Sequence, residues 1–145
     1  MAHPVFIVDA STCLKWVFDD EIYADKAEQL LKDHLKGKVG LLAPNLWFYE
    51  VANGIKSAVL RSRISQSKSK ELLELVLKSK PETISLEDAL SEVLENAIKF
   101  EISAYDSAYI TLAQINNIPF LTGDQKLGKR SFPNVKLVSL ADYHI

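Results

Sequence analysis

The sequence predicts an α/β domain built on a mostly parallel sheet with helices on its faces. Two observations carry this. Short apolar runs rich in β-branched and aromatic residues recur along the chain, too short to be helices. Between them lie single segments or pairs of segments whose apolar residues fall at helical spacing. Strands alternating with helices in this way form parallel sheets flanked by their crossover helices.

Taken in order, VFIVD (5–9) reads as a short buried strand. Ser11 to Phe18 reads as a short helix, with Leu14, Val17 and Phe18 at helical spacing, and DDE at 19–21 as an acidic turn. Ile22 to Lys36 is a second helix, with Ala27, Leu30, Leu31 and Leu35 on one side and Gly37 after its end. GLLAP (40–44) is a strand stopped by Pro44, and Asn45 is the expected cap of a long helix, LWFYEVANGIKSAVLRS. Ser65 to Ser79 is another helix, carrying Leu72, Leu73, Val76 and Leu77 as its stripe. ETISL (82–86) is a short extended piece, and Leu86 to Phe100 and Ser103 to Asn117 are helical. IPFLT (118–122) and VKLVSL (135–140) supply the last strands.

Length and composition bound the function. A chain of 145 residues, 48% hydrophobic and 25% charged, is expected to form one domain, residues 1–145, with a real core. A formal net charge of -2 excludes a globally basic nucleic-acid binder, so any polyanion site must come from local charge. The single cysteine, Cys13, cannot form an internal disulfide, which fits a reducing compartment. No apolar run approaches membrane-spanning length. The start, MAHPVFIVD, lacks the basic and long apolar regions of a signal peptide, so a cytoplasmic location is expected. The five glycines form neither a Gly-x-Gly-x-x-Gly run nor a phosphate-binding loop.

Four carboxylates occupy special places. In an open α/β sheet, ligands collect at the carboxyl ends of the strands. Asp9 closes VFIVD, and Asp124 follows IPFLTG. Glu50 interrupts the apolar LWFYEVA, and Asp106 interrupts ISAYDSAYITLA. Charged residues in such settings are paired or bound to a cation when buried. Each acid also has a structural reading: Asp9 as a helix cap, Asp124 as a turn residue, Asp106 as a first-turn acid and Glu50 as part of a solvated face. The functional reading rests on all four facing one cleft.

VDAS at 8–11, EVAN at 50–53, YDSAYITLA at 105–113 and LTGDQKL at 121–127 resemble the motifs of the PIN-domain ribonucleases, and within them the VapC-type toxins of toxin–antitoxin pairs. The resemblance runs over nearly the whole chain, in order. It implies a three-layer α/β/α sandwich, an acidic metal site of Asp9, Glu50, Asp106 and Asp124, and Ser11, Asn53 and Thr122 as supporting polar residues. It also implies RNA as substrate and a cognate antitoxin protein as partner.

Four carboxylates around one cleft repel one another, and a hard divalent cation relieves this. All-oxygen ligation suits Mg2+ or Mn2+. Zinc is disfavoured, because His3, His34 and His144 lie outside the motifs and Cys13 is expected to be a small core residue. A held metal activates a water and neutralises the phosphate under attack, which leaves 5′-phosphate and 3′-hydroxyl ends without use of the ribose 2′-hydroxyl. Asp9, Asp106 and Asp124 would hold the metal directly or through water. Glu50 would complete that shell, help hold a second metal or orient the water.

From Val51 to Lys70 the chain has five cations (Lys56, Arg61, Arg63, Lys68, Lys70) and no acid; Lys126, Lys129 and Arg130 follow Asp124. Both groups are candidates to grip RNA phosphates, or else solvated basic faces. Leu46, Trp47, Phe48, Tyr49, Val51 and Ala52 run nearly all round their helix, and Trp16 and Phe18 lie nearby in sequence. That surface calls for further cover, either from the domain's own helices or from a second copy, so a homodimer is expected. Two other readings compete. A haloacid-dehalogenase-like phosphotransferase would use Asp9 as nucleophile, but Ser11 and Gly128 stand where its further acids belong. A non-catalytic PIN-like module would only bind RNA or protein.

Overall fold

The computed structural model describes residues 3–145. Its strands are β1 (Val5–Val8), β2 (Gly40–Pro44), β3 (Glu82–Ile84), β4 (Phe120–Thr122) and β5 (Leu137–Ser139). Its α-helices are α1 (Ala10–Leu14), α2 (Ala24–Leu35), α3 (Trp47–Leu60), α4 (Gln66–Lys78), α5 (Leu90–Phe100), α6 (Ala104–Asn116) and α7 (Gln125–Gly128). The strands form one sheet in the order β3-β2-β1-β4-β5, and every pairing is parallel. Helices cover the sheet to give the α/β/α sandwich: α6 lies on β1, β2 and β4 and packs against α5, while α3 packs between α1 and α4.

The central strands show why these runs become strands. Phe120, Leu121 and Thr122 are all buried, as are Ile7 and Val8, because a parallel sheet is covered on both faces. One apolar cluster fills the interior, with Trp47, Tyr109, Phe120 and Leu30 among its largest fully buried side chains. Cys13 belongs to it, and burial pushes its thiol well above the usual range. Gly37 takes the left-handed conformation just past α2, where a side chain would be strained. Among the described residues no helix is long and apolar enough to cross a membrane.

The structure corrects several local expectations. Helix α1 ends at Leu14, and turns carry the chain on to Phe18. Asn45 does not cap α3. The helix starts from Leu46 without a side-chain cap, while the Asn45 amide N–H is bonded 3.2 Å away to the Ile84 carbonyl of β3. The apolar surface of α3 is also largely covered from within. Trp47, Val51, Ile55 and Ala58 are buried, Phe18 is buried, and the Trp16 indole donates to the Ala27 carbonyl at 3.1 Å. Only Tyr49 and Leu60 of α3 stay strongly exposed among its large apolar side chains.

Helix α2 is fastened to the end of the chain by a buried polar pair. Asp33 is 3% exposed and accepts from the Tyr143 hydroxyl at 2.7 Å and from the Gln29 side-chain amide at 3.1 Å. Burial and the nearby Asp33 push the Tyr143 phenol above its usual range, so it stays a donor. Tyr143→Phe removes that donor from a buried carboxylate and should lower stability by about 1.5–3 kcal/mol. Urea unfolding measures this; a variant as stable as the native chain would mean that water replaces the phenol.

Candidate functional site

β1 and β4 are neighbours, so the strand order reverses beside β1, and the residues that leave these two strands meet at the carboxyl edge of the sheet. Val8 lies opposite Leu121, which brings Asp9 alongside Thr122. Asp9 caps α1 through its side chain, and it also lines a cleft of about 90 Å3 together with Glu50, Asp106 and Asp124. The cap reading of Asp9 therefore holds, and the same side chain faces the cleft. The other acids arrive from separate elements: Glu50 from the first turn of α3, Asp106 from the first turn of α6, and Asp124 as the cap of α7.

Asp9 is only 8% exposed, and donors surround its carboxylate. Oδ1 accepts from the Ser11 hydroxyl at 2.8 Å, the Thr12 hydroxyl at 2.8 Å and the Thr12 amide at 3.1 Å. Oδ2 accepts from the Thr122 hydroxyl. Both threonines pass the constraint on: Thr12 Oγ1 accepts from the Gly123 amide at 2.9 Å, and Thr122 Oγ1 accepts from the Asp124 amide at 3.0 Å. A Cβ at position 123 would stand 2.8 Å from Lys15 Cε, so glycine lets this turn close over the buried lysine. Asp124 in turn accepts from the Leu127 amide at 3.0 Å.

The remaining acids are held more loosely. Glu50 Oε1 accepts from the Tyr109 hydroxyl at 2.6 Å. Burial, reinforced by the charges of Asp9 and Asp106, pushes Glu50 up to about 7 despite that bond. Burial, then Asp124 and Asp9, pushes Asp106 above the ordinary carboxylate range. Burial and Glu50 push the Tyr109 phenol upward, so it remains a donor.

Of the expected supporting residues, Ser11 and Thr122 hold Asp9 directly. Asn53 makes no hydrogen bond to the acids; it lines a larger neighbouring pocket that Ser11 and Glu50 share. Two residues were not foreseen. Thr12 is a second hydroxyl on Asp9, and Tyr109 is the donor to Glu50.

The basic side chains divide. Lys56 and Lys70 are exposed and line one groove between α3 and α4, and Arg61, Lys126 and Lys129 are also exposed. Arg63 is instead committed locally: it pairs with Asp20 at 3.0 Å and Glu21 at 3.5 Å and lies over the Phe18 ring. Arg130 donates to the Phe100 carbonyl at 2.9 Å and lies over Phe132, and Lys68 pairs with Glu71 at 3.0 Å.

The donor set tests the fit of a metal. Among the described residues no group of three or more His, Cys, Asp or Glu side chains is already arranged as a cage for an ion. Both Asp9 oxygens are engaged by hydroxyls, and one Glu50 oxygen by Tyr109. The cleft nevertheless gathers carboxylates alone, with no His or Cys lining it. Such a set fits a hard cation that keeps most of its water and takes few direct carboxylate ligands. It does not fit a closed zinc site.

The PIN domain family model matches residues 6–133. No curated protein matches the chain at a significant level. Among solved structures, the chain is similar to the crystal structure of PAE2754 from Pyrobaculum aerophilum, at 25% identity over 97% of this chain and 93% of that one, with a TM-score of 0.65. It also shares its fold with VapBC2 from Rickettsia felis bound to a DNA fragment from their promoter, at 16% identity over 93% of this chain and 98% of that one, with a TM-score of 0.61.

The raised Glu50 gives a pH signature. Its protonated form is favoured in the folded, metal-free state, so its contribution to stability is full below its ordinary value of 4.5 and is lost as pH rises through about 7. In chelator, Glu50→Gln should melt with the native chain near the acid end of that window and above it at about pH 8. Melting curves across the window check this. A constant offset would assign the titration to another group.

Proposed function

From a chain that belongs to the PIN domain family, we propose a metal-dependent endoribonuclease acting as the toxin of a VapC-type toxin–antitoxin pair. One observation carries the reading: Asp9, Glu50, Asp106 and Asp124, from four distant parts of the sequence, line one cleft at the carboxyl edge of the sheet. Family membership sets aside the haloacid-dehalogenase-like reading. Ser11, at the position where that chemistry needs an acid, donates to Asp9 instead.

In this proposal Mg2+ or Mn2+ is held by Asp9, Asp106 and Asp124, directly or through water, and when bound it lowers the pKa of a water and offsets phosphate charge. The rest is the work of the chain. Ser11, Thr12 and Thr122 fix the Asp9 carboxylate in place by donating to it. Glu50, raised toward neutrality, is suited to orient the attacking water and accept its proton, with Tyr109 fixing the carboxylate. Lys56, Arg61, Lys126 and Lys129 are the exposed cations suited to RNA phosphates. The antitoxin partner is expected to lay an apolar segment on the chain and to place a basic side chain among the four acids. A homodimer is proposed on a different face from the one foreseen. Leu90, Leu94 and Ile98 are 58%, 61% and 70% exposed and follow one side of α5, so this helix, rather than α3, offers the apolar stripe for a second copy.

Cleavage of a single-stranded RNA should require Mg2+ or Mn2+ and should fall on the order of 100-fold or more in Asp9→Asn and in Asp106→Asn, at or above the losses seen when groups supporting a metal are removed. Metal-free Asp106→Asn should be no less stable than the native chain, since it loses a like charge. Full cleavage in excess chelator, or by Asp106→Asn, would sink the metal-dependent reading, and no cleavage by the native chain would leave a module that only binds.

Arg61→Ala should weaken RNA binding alike across sequences and reduce the salt slope by about 1. Arg63→Ala should act on stability instead, through its ion pairs with Asp20 and Glu21. Titrations at several salt concentrations separate the two. An unchanged slope for Arg61→Ala would make it a solvated surface residue.

A further inference from the structure

Beside the acidic cleft lies a pocket of about 560 Å3 whose walls include Leu14, Leu46, Tyr49, Asn53 and Tyr105. We propose that it receives one unpaired nucleobase of the RNA next to the bond being cut, stacked on Tyr49 and Tyr105, with the Asn53 amide facing the base edge. This rests on the nuclease reading of the adjoining cleft and names the part of the substrate that the cleft itself does not account for.

Three features carry it. The pocket is continuous with the cleft, because Ser11 and Glu50 line both. A phosphodiester among the acids therefore has its neighbouring nucleoside at the mouth of this pocket. The tyrosines are placed by the acids: Tyr49 directly precedes Glu50, and Tyr105 directly precedes Asp106. They are 80% and 66% exposed, and among the described residues neither ring packs on another aromatic and neither hydroxyl has a hydrogen-bond partner. Two large rings left unused beside an active cleft are a stacking platform, since every base offers a π-face. The pocket's size is that of a small-molecule site and far exceeds the 90 Å3 of the acidic cleft.

Charge favours RNA over a peptide here. Helix α3, which supplies Tyr49 and Asn53, continues to the exposed Lys56 and Arg61. A polyanion whose base enters the pocket can run its phosphates along that face. A base must leave its stack to enter, so the pocket selects single strands.

The test uses a labelled single-stranded RNA of mixed sequence, its duplex, and copies with one abasic site moved along the strand. Affinity is read by anisotropy in chelator at low salt, and kcat/KM is read in Mn2+. Tyr49→Ala and Tyr105→Ala should each lose about ten-fold or more in affinity, while Tyr49→Phe and Tyr105→Phe keep it. Both tyrosines are exposed, and circular dichroism should confirm native folding. An abasic site at one position beside the cleaved bond should produce the same loss, and Tyr→Ala should add nothing further on that strand. The duplex should bind more weakly than the single strand. Native affinity and kcat/KM in the alanine variants would overturn the pocket and leave the nuclease reading intact. Tyrosine-dependent binding without cleavage by the native chain would support the pocket and overturn the nuclease reading. A synthetic Leu- and Arg-rich helical peptide that needs both tyrosines, when RNA does not, would reassign the pocket to a protein segment.

Discussion

The site depends on meeting the hydrogen-bonding demand of one buried carboxylate. Asp9 sits at the mouth of β1 with little access to water, where an unpaired charge would cost several kcal/mol. Hydroxyls from Ser11, Thr12 and Thr122 and the amide of Thr12 answer that cost. Two of these hydroxyls also accept from the backbone of the turn after β4. Desolvation of one side chain thereby dictates the path of residues 122–124 and the position from which Asp124 enters the cleft. The start of α1, the end of β4 and the start of α7 are one hydrogen-bonded unit centred on a single carboxylate.

The other acids are treated differently, and the contrast divides their chemistry. Asp9 has more donors than any of the others. Glu50 has one donor and a desolvated setting, and Asp106 has like charges on two sides. A group with saturated donors is held in one orientation. A group raised toward neutrality exchanges protons readily. Environment, rather than residue type, sets these carboxylates apart within one cleft.

Much of this was legible from residue positions. Asp9 and Asp124 stood at strand ends and Glu50 and Asp106 inside apolar runs, where a carboxylate is conspicuous. The alternation of strands and helices carried the parallel sheet. Thr12 and Tyr109 were not legible, because a threonine in a short helix and a tyrosine in an apolar helix look like ordinary packing. Their spacing held a signal: Thr12 is three residues after a capping Asp, where cap bonds land, and Tyr109 is three after Asp106, on the same helix face. Arg63 and Asn45 misled for a different reason. Their partners, the 19–21 turn and β3, are brought close only by the fold, so local pattern left Arg63 among the free cations and Asn45 as a helix cap.

The strand order has a consequence in time. β1 lies at the centre of the sheet, yet its partner β4 is more than a hundred residues away along the chain. A ribosome builds the chain from the amino end, so β1, β2 and β3 with Asp9 and Glu50 can assemble while β4 is still unmade. Until Thr122 and Asp124 emerge, Asp9 lacks its donor from β4 and the cleft lacks a wall. A nascent or truncated chain can therefore hold half a sheet without holding the acid constellation. On the ribonuclease reading proposed above, such a chain would lack the completed cleft until β4 is made.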